Sequence, residues 1–136
     1  MGVFELNLSL GEFEALVAKA ARGAGMPWGL AAEAGRAARA AVTAGRDDAP
    51  GLFADFLEDN PSPCPLRAGL AERDGHPSPP EADGAWALIR DAAADRLATG
   101  NATRCRLSGD AHDALARLAH RTYAPATEES RLKGAG

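Results

Sequence analysis

Apolar and polar residues alternate with two different periods at the start of the chain. Residues 4–8 alternate strictly, which predicts a β-strand. From Ser9 to Ala24, apolar residues recur every three or four positions, which predicts an amphipathic helix. Ser9 and Glu12 have the spacing of a capping box, in which each side chain binds an amide of the first helical turn. We therefore expect the strand to run directly into a capped helix.

A second helix is predicted after the tight loop 22–29. Gly23 and Gly25 suit the left-handed residue that ends a helix, and Pro27 fits the first turn of the next one. Small residues form a stripe along the second helix: Ala31, Ala34, Ala38, Ala41 and Gly45. Because small side chains let two helix axes approach closely, we predict that residues 9–45 form a tightly packed helical hairpin.

The remaining pattern predicts three further helices and a second strand. Pro50 opens a short helix that carries the densest group of bulky side chains, which we assign to the core: Leu52, Phe53, Phe56 and Leu57. Residues 85–98 have helical spacing. Residues 103–107 alternate and predict a strand that pairs with the N-terminal one. Ser108 is the expected cap of a last helix over residues 110–121.

Two segments contain many prolines. The prolines in residues 61–65 favour extended backbone, and residues 66–70 fit either a helical turn or a short edge strand. Residues 74–84 contain three prolines and no bulky apolar residue, which predicts an exposed, mobile loop. The whole pattern predicts one domain over residues 1–136. Its predicted class is α+β, mostly helical, with an N-terminal helical hairpin and at most a small antiparallel sheet.

Composition indicates how the core is built. The chain has 136 residues, of which 46% are hydrophobic and only 5% aromatic, and alanine supplies much of the apolar share. A chain of this length buries roughly two-thirds of its unfolded surface. We therefore expect a thin core that depends on close backbones more than on large side chains. Association as a homodimer or with a partner subunit would relieve the shortage of buried area.

Charge and hydropathy exclude several classes of partner. The net charge is −4, and the acidic excess lies in residues 47–83. No segment is basic enough to neutralise a run of phosphates, so nucleic acid is excluded as the expected partner. No apolar run has the length of a membrane span, and the N-terminus lacks the layout of a secretory signal. We expect a cytoplasmic protein in which Cys64 and Cys105 are reduced thiols.

Few residues have the chemistry of a functional site. Cys64 lies between two prolines, where an exposed thiolate would be a nucleophile and where a half-buried structural thiol is the alternative. The segment His120–Tyr123 combines a proton carrier, an arginine (Arg121) and a hydrogen-bond donor. Ordinary capping of a helix C-terminus by His120 and Arg121 is the simpler interpretation.

The tight loop contributes two more candidates. Arg22 lies beside glycine amides that can bind an anion, and helix capping is again the alternative. Trp28 is a wall on which a ligand stacks, or a core anchor, which is the commoner role of tryptophan in an alanine-rich domain. Metal binding is not expected, because His112 and His120 are eight residues apart and no closely spaced ligand pair exists. No cofactor motif is present, since the glycines match neither a dinucleotide fingerprint nor a phosphate loop.

Three blocks of sequence resemble an uncharacterised bacterial family, a domain of unknown function. The blocks are residues 14–35, residues 64–66 (Cys-Pro-Leu) and residues 118–136. They occur in the order seen in that family, whose members are longer between the second and third blocks. The resemblance implies no particular reaction, and it adds polar residues of the closing block, such as Arg131, to the candidates.

Two functions remain open. The first is a small enzyme of low-molecular-weight metabolism that acts on a carboxylate or phosphate. Its site would form where the loop 22–28 meets Cys64 and the segment 120–131. Arg22, Arg121 and Arg131 would bind the anion beside Trp28, and His120, Cys64 or Tyr123 would carry out the chemistry. The second is a non-catalytic accessory protein that packs its alanine-rich helix face on a partner subunit.

Overall fold

A computed structural model describes residues 5–77 and 84–121 of the chain. Strand β1 spans Glu5–Ser9, and helices α1 and α2 span Leu10–Gly23 and Trp28–Thr43. Helices α3, α4 and α5 follow at Ala49–Asp59, Pro65–Arg73 and Gly84–Ala93. Strand β2 spans Arg104–Ser108, and helix α6 spans Gly109–His120. The predicted class is confirmed, because this is a mostly helical α+β domain with a two-stranded antiparallel sheet.

The two strands lie at opposite ends of the sequence and pair as the alternating pattern predicts. Leu6 faces Leu107 and Leu8 faces Cys105 in the antiparallel register. Each strand runs into a capped helix. The Glu12 amide donates to Ser9 Oγ at 3.0 Å, and the Ser9 amide donates back to Glu12 Oε1 at 2.8 Å. The bond from the Ser9 backbone, which favours the ionised carboxylate, lowers the pKa of Glu12. Both predicted caps are confirmed, since Ser108 Oγ accepts from the Ala111 amide at 3.1 Å.

Helices α1 and α2 form the predicted hairpin, and the small-residue stripe is its contact surface. Ala31, Ala34, Ala38 and Ala41 are all at most 1% exposed. A Cβ atom at Gly35 would lie 2.6 Å from the backbone oxygen of Glu14 in α1. The stripe is therefore used inside the chain. This corrects the hypothesis that the alanine-rich face of the second helix packs on a partner subunit, because that face is already buried.

The two loop glycines have different roles. Gly25 has φ +105° and is the left-handed residue of the loop. A Cβ at Gly23 would lie 1.7 Å from the Leu118 carbonyl oxygen, so Gly23 lets the end of α1 pack directly on α6. The core around this contact contains Phe13, Phe53 and Leu115, each fully buried. The core assignment of the Pro50 helix is confirmed for its two phenylalanines and Leu57.

Helix α5 is shorter than the sequence predicts. The helix ends at Ala93 and not at Ala98. Asp95 adopts a left-handed conformation with φ 61°, and the Arg96 amide donates to the Asp91 carbonyl at 2.9 Å, which closes the helix end. Leu97 still packs on the core from the following turn, and this explains why its spacing imitates a longer helix.

Helices α4 and α5 pack as closely as the hairpin does. The segment 66–70, which fits a helix or a strand in the sequence, is part of α4. A Cβ at Gly69 would lie 2.2 Å from the Arg90 carbonyl oxygen of α5. The nearly buried carboxylate of Glu72 forms ion pairs with Arg90 and Arg96 beside this contact. The predicted mobile loop 74–84 lies largely outside the described residues.

Substituting Gly35 by alanine tests the close approach of the hairpin. We expect Gly35→Ala to lower the free energy of unfolding by about 1–3 kcal/mol, because the new methyl group overlaps the Glu14 backbone. Gly29→Ala is the matched control, since nothing lies within 4 Å of its Cβ position in the first turn of the same helix. That change should be neutral or stabilising by up to ~1 kcal/mol. Urea denaturation of both variants measures the difference, and equal stabilities would contradict the contact.

Candidate functional site

One cavity forms where the α1–α2 loop meets the segment between α3 and α4. Its volume is about 350 Å³, within the range of small-molecule sites. We call it the loop cavity. Its walls are residues 24–27 and Leu30 on one side, and residues 60–62, Cys64 and Arg67 on the other. The tight loop and Cys64, which the sequence hypothesis brings together, therefore line the same cavity.

The local sequence explains the shape of the cavity. Helix α3 ends at Asn60, whose φ of 48° is left-handed and turns the chain sharply. Residues 61–63 then cross to α4, which begins at Pro65 with Cys64 as its N-cap. Cys64 is partly exposed and makes no side-chain cap to the helix. Cys64 lines the cavity and packs partly on the core, and as the N-cap it lies at the positive end of the α4 dipole.

The cavity has a cationic side chain that no other described residue engages. Arg67 is exposed and forms no hydrogen bond or ion pair within residues 5–77 and 84–121. Arg22, by contrast, is occupied: its Nη1 donates to the Met26 carbonyl at 3.0 Å. The Arg22 guanidinium also lies 4.9 Å from the centroid of the Trp28 ring. Arg22 thus holds the loop together, and Arg67, which sequence analysis missed, faces the cavity.

Trp28 is not a core anchor. Its side chain is 67% exposed, and Arg22 stacks on its ring. The expectation of a buried anchor is wrong because Met26, which precedes Pro27, occupies the interior position instead. Trp28 begins α2 on the outer side of the loop and is not among the residues that line the loop cavity.

The histidine–arginine cluster lies elsewhere on the surface. His120 and Arg121 are exposed and line an open depression with Asp113 and Arg117, and neither lines the loop cavity. The packing of Gly23 on Leu118 and the Arg117–Glu58 ion pair connect α6 to the helices that carry the cavity walls. The expected convergence of His120 and Arg121 with Cys64 is therefore corrected: both side chains project from the outer face of α6. Tyr123 and Arg131 lie outside the described residues.

A second concavity was not predicted. It is a groove of about 370 Å³ between α1, α2, α4 and the turn after α5. We call it the charged groove. Its walls carry three carboxylates and three guanidiniums: Glu14, Glu33, Asp95, Arg36, Arg39 and Arg73. Glu33 and Arg36 share a helix, but Arg73 and Asp95 come from distant elements, so no local spacing signals the group.

The two thiols differ in environment. Cys105 is fully buried in β2, and burial raises its pKa to about 11, because the thiolate is poorly solvated there. It is a structural residue of the sheet. Among the described residues, no group of three or more His, Cys, Asp or Glu side chains is placed to bind a metal ion. In the same part of the chain, no helix is long and apolar enough to span a membrane.

The fold and the two concavities define a mostly helical α+β domain with small-molecule-sized clefts. A family model described as a protein of unknown function, DUF3726, matches residues 8–79. Since this is more than half of the chain, the protein belongs to that family, and the resemblance to an uncharacterised family is confirmed. The matched region contains the whole hairpin, α3, α4 and every residue of the loop cavity. No curated protein and no solved structure matches the chain.

The buried thiol predicts a loss of stability in alkali. Between pH 9.0, the ordinary pKa of the thiol, and about 11, the unfolded chain releases the Cys105 proton while the folded chain retains it. The free energy of unfolding therefore falls as pH rises, by about 1 kcal/mol per pH unit at the steepest point. Urea denaturation from pH 8 upward should show this slope. Cys105→Ala should remove that component and Cys64→Ser should keep it; equal slopes in both variants would contradict the assignment.

Proposed function

We propose that this protein binds a small anionic metabolite, a carboxylate or a phosphate, in the loop cavity, as an enzyme in which Cys64 is the nucleophile. The observation that supports this most directly is the combination on one cavity wall of a partly exposed cysteine and an arginine that pairs with no other described residue. A guanidinium is the group that best recognises carboxylates and phosphates.

The roles follow from position. Arg67 lies in the first turn of α4, three residues after Cys64, so both side chains point to neighbouring parts of the same helix end. The dipole of α4 adds a weak attraction for negative charge at that end. Met26, Pro27 and Leu30 form an apolar wall opposite. A ligand would place its anionic group on Arg67 and an electrophilic carbon against the Cys64 sulfur.

Charged and neutral alkylating agents test this proposal without a known substrate. Iodoacetate carries a carboxylate and iodoacetamide does not, so we expect the rate ratio of the two at Cys64 to exceed that of a free thiol. A charge attraction of about 1 kcal/mol corresponds to roughly a fivefold change in rate. Arg67→Gln should lower the ratio by about that factor. Mass spectrometry of the Cys64 peptide measures both rates.

Arg106→Gln is the matched control, because Arg106 is an exposed arginine of β2 that does not line the loop cavity. It removes the same charge and should leave the ratio unchanged. Inorganic phosphate at high concentration should slow iodoacetate in the original protein and not in Arg67→Gln. Equal ratios in all three proteins would reject anion recognition by Arg67.

A non-catalytic interaction role is the second candidate, and the exposed Trp28 ring favours it. Large aromatic side chains paired with arginine are common at the centre of protein interfaces. If Trp28 mediates self-association, sedimentation velocity should show a concentration-dependent dimer that Trp28→Ala weakens by at least about tenfold in Kd. Leu52→Ala, which shortens a partly buried side chain of α3, is the control. A monomer at every concentration would exclude a homodimer through this face.

A further inference from the structure

The charged groove has the composition of a binding site for a ligand that carries one positive and one negative charge. Its lining contains three carboxylates and three guanidiniums. Arg39 Nη1 pairs with Glu14 at 3.0 Å, and Arg73 Nη2 pairs with Glu33 at 3.2 Å. A simple anion would have to compete with the carboxylates for each arginine, and a simple cation would meet the arginines. A zwitterion finds a partner for each of its ends.

Two of the six groups are held loosely. Asp95 is 62% exposed, and its distance to Arg73 is 3.8 Å, near the limit of an ion pair. The Arg36 side chain is 57% exposed and approaches Glu33 at 3.3 Å within the same helix. Exposed pairs of this kind contribute little to stability, so their partners can be exchanged at small cost. Asp95 and Arg36 are thus the groups available to a ligand.

The other two pairs are anchored and shape the site. Glu33 accepts from both Arg36 and Arg73, which joins α2 to α4 across the groove. The hydrogen bond to Glu33 raises the pKa of Arg73, so the guanidinium of this bridge keeps its charge. Asp95 is presented to the groove by the left-handed turn that ends α5. The Glu33–Arg73 bridge is therefore in place before any ligand arrives, whereas Asp95 and Arg36 can still adjust to it.

The floor of the groove is apolar and shallow. Ala37, Ala92 and Ala93 are nearly buried and line it, with Leu97 at one side. Alanine side chains leave space above them, so a short aliphatic group fits there and a long one does not. The Gly69 contact, which brings α4 against α5, fixes the width of this floor.

We propose that the charged groove binds a free α-amino acid with a short aliphatic side chain. Its ammonium group pairs with Asp95, its carboxylate pairs with Arg36, and its side chain lies on the alanine floor. This site shares no residue with the loop cavity and does not depend on the function proposed there.

Titration by NMR tests the proposal with L-valine and two analogues that each lack one charge. Isovalerate lacks the ammonium group and isobutylamine lacks the carboxylate, and both keep the aliphatic part of valine. We expect saturable shifts of the amides of Ala37, Asp95 and Thr99 with L-valine, and at least about tenfold weaker binding of each analogue, since each loses one ion pair. Asp95→Asn and Arg36→Gln should each weaken L-valine binding by a similar factor.

Asp113→Asn and Arg106→Gln are the controls, because they remove the same charges from exposed sites outside the groove. They should leave the affinity for L-valine unchanged. The absence of saturable shifts, binding of either analogue as tight as that of L-valine, or shifts centred outside the groove would overturn the proposal and leave the six charges with a structural role only. If a variant fails to fold, the affinities of the three ligands for the original protein still test the proposal. The alkylation of Cys64 is a separate measurement, so the two proposals can fail independently.

Discussion

Direct contact between backbones, made possible by glycine, is the constraint on which this structure depends. At Gly23, Gly35, Gly69 and Gly100, an added Cβ would lie 1.7–2.6 Å from a backbone oxygen of another segment. Each contact joins a different pair: α1 to α6, α2 to α1, α4 to α5, and the turn before β2 to the end of α2. A chain with 5% aromatic residues gains burial mainly in this way, because it lacks large side chains to fill wider gaps.

These close contacts also determine where the concavities form. Helices that touch along small-residue stripes move apart where larger side chains begin. Polar side chains then line the space between the separated helices. The charged groove lies along such an edge, between the α1–α2 contact at Gly35 and the α4–α5 contact at Gly69. The loop cavity forms at the other end of the hairpin, where Gly25 and Asn60 turn the chain in left-handed conformations. Both sites are consequences of how the helices are joined.

Much of the fold follows from local sequence. The capping box of Ser9 and Glu12, the alternation around Leu107 and the stripe of α2 each depend on residues within a few positions of one another, and each was predictable. The end of α5 was not, because Leu97 continues the helical spacing although Asp95 has already ended the helix. Local spacing records which residues face the core but not whether the backbone between them stays helical.

The candidate site was less predictable for a related reason. Sequence singled out Cys64 and the loop at Arg22, and the structure brings their backbones to one cavity. The sequence could not show that Arg22 contacts Trp28 and Met26, or that Arg67 has no partner among residues 5–77 and 84–121, because these facts depend on which side chains meet. The charged groove combines four elements, and its partners Glu33 and Arg73 are 40 residues apart. Tyr123 and Arg131 lie outside the described residues, so their role in a site remains a prediction from the sequence.

The pairing of β1 with β2 has a consequence for the order of assembly. Arg104 donates to Asn7 across 97 residues of chain, and α1 lies on α6 beside this pair. Closing so large a loop costs conformational entropy before any of its contacts form. Helical domains usually fold quickly since their contacts are local, whereas this one must join its two ends to complete its core. The hairpin and the α4–α5 pair are local units, so docking of α6 on them is the step expected to set the folding rate.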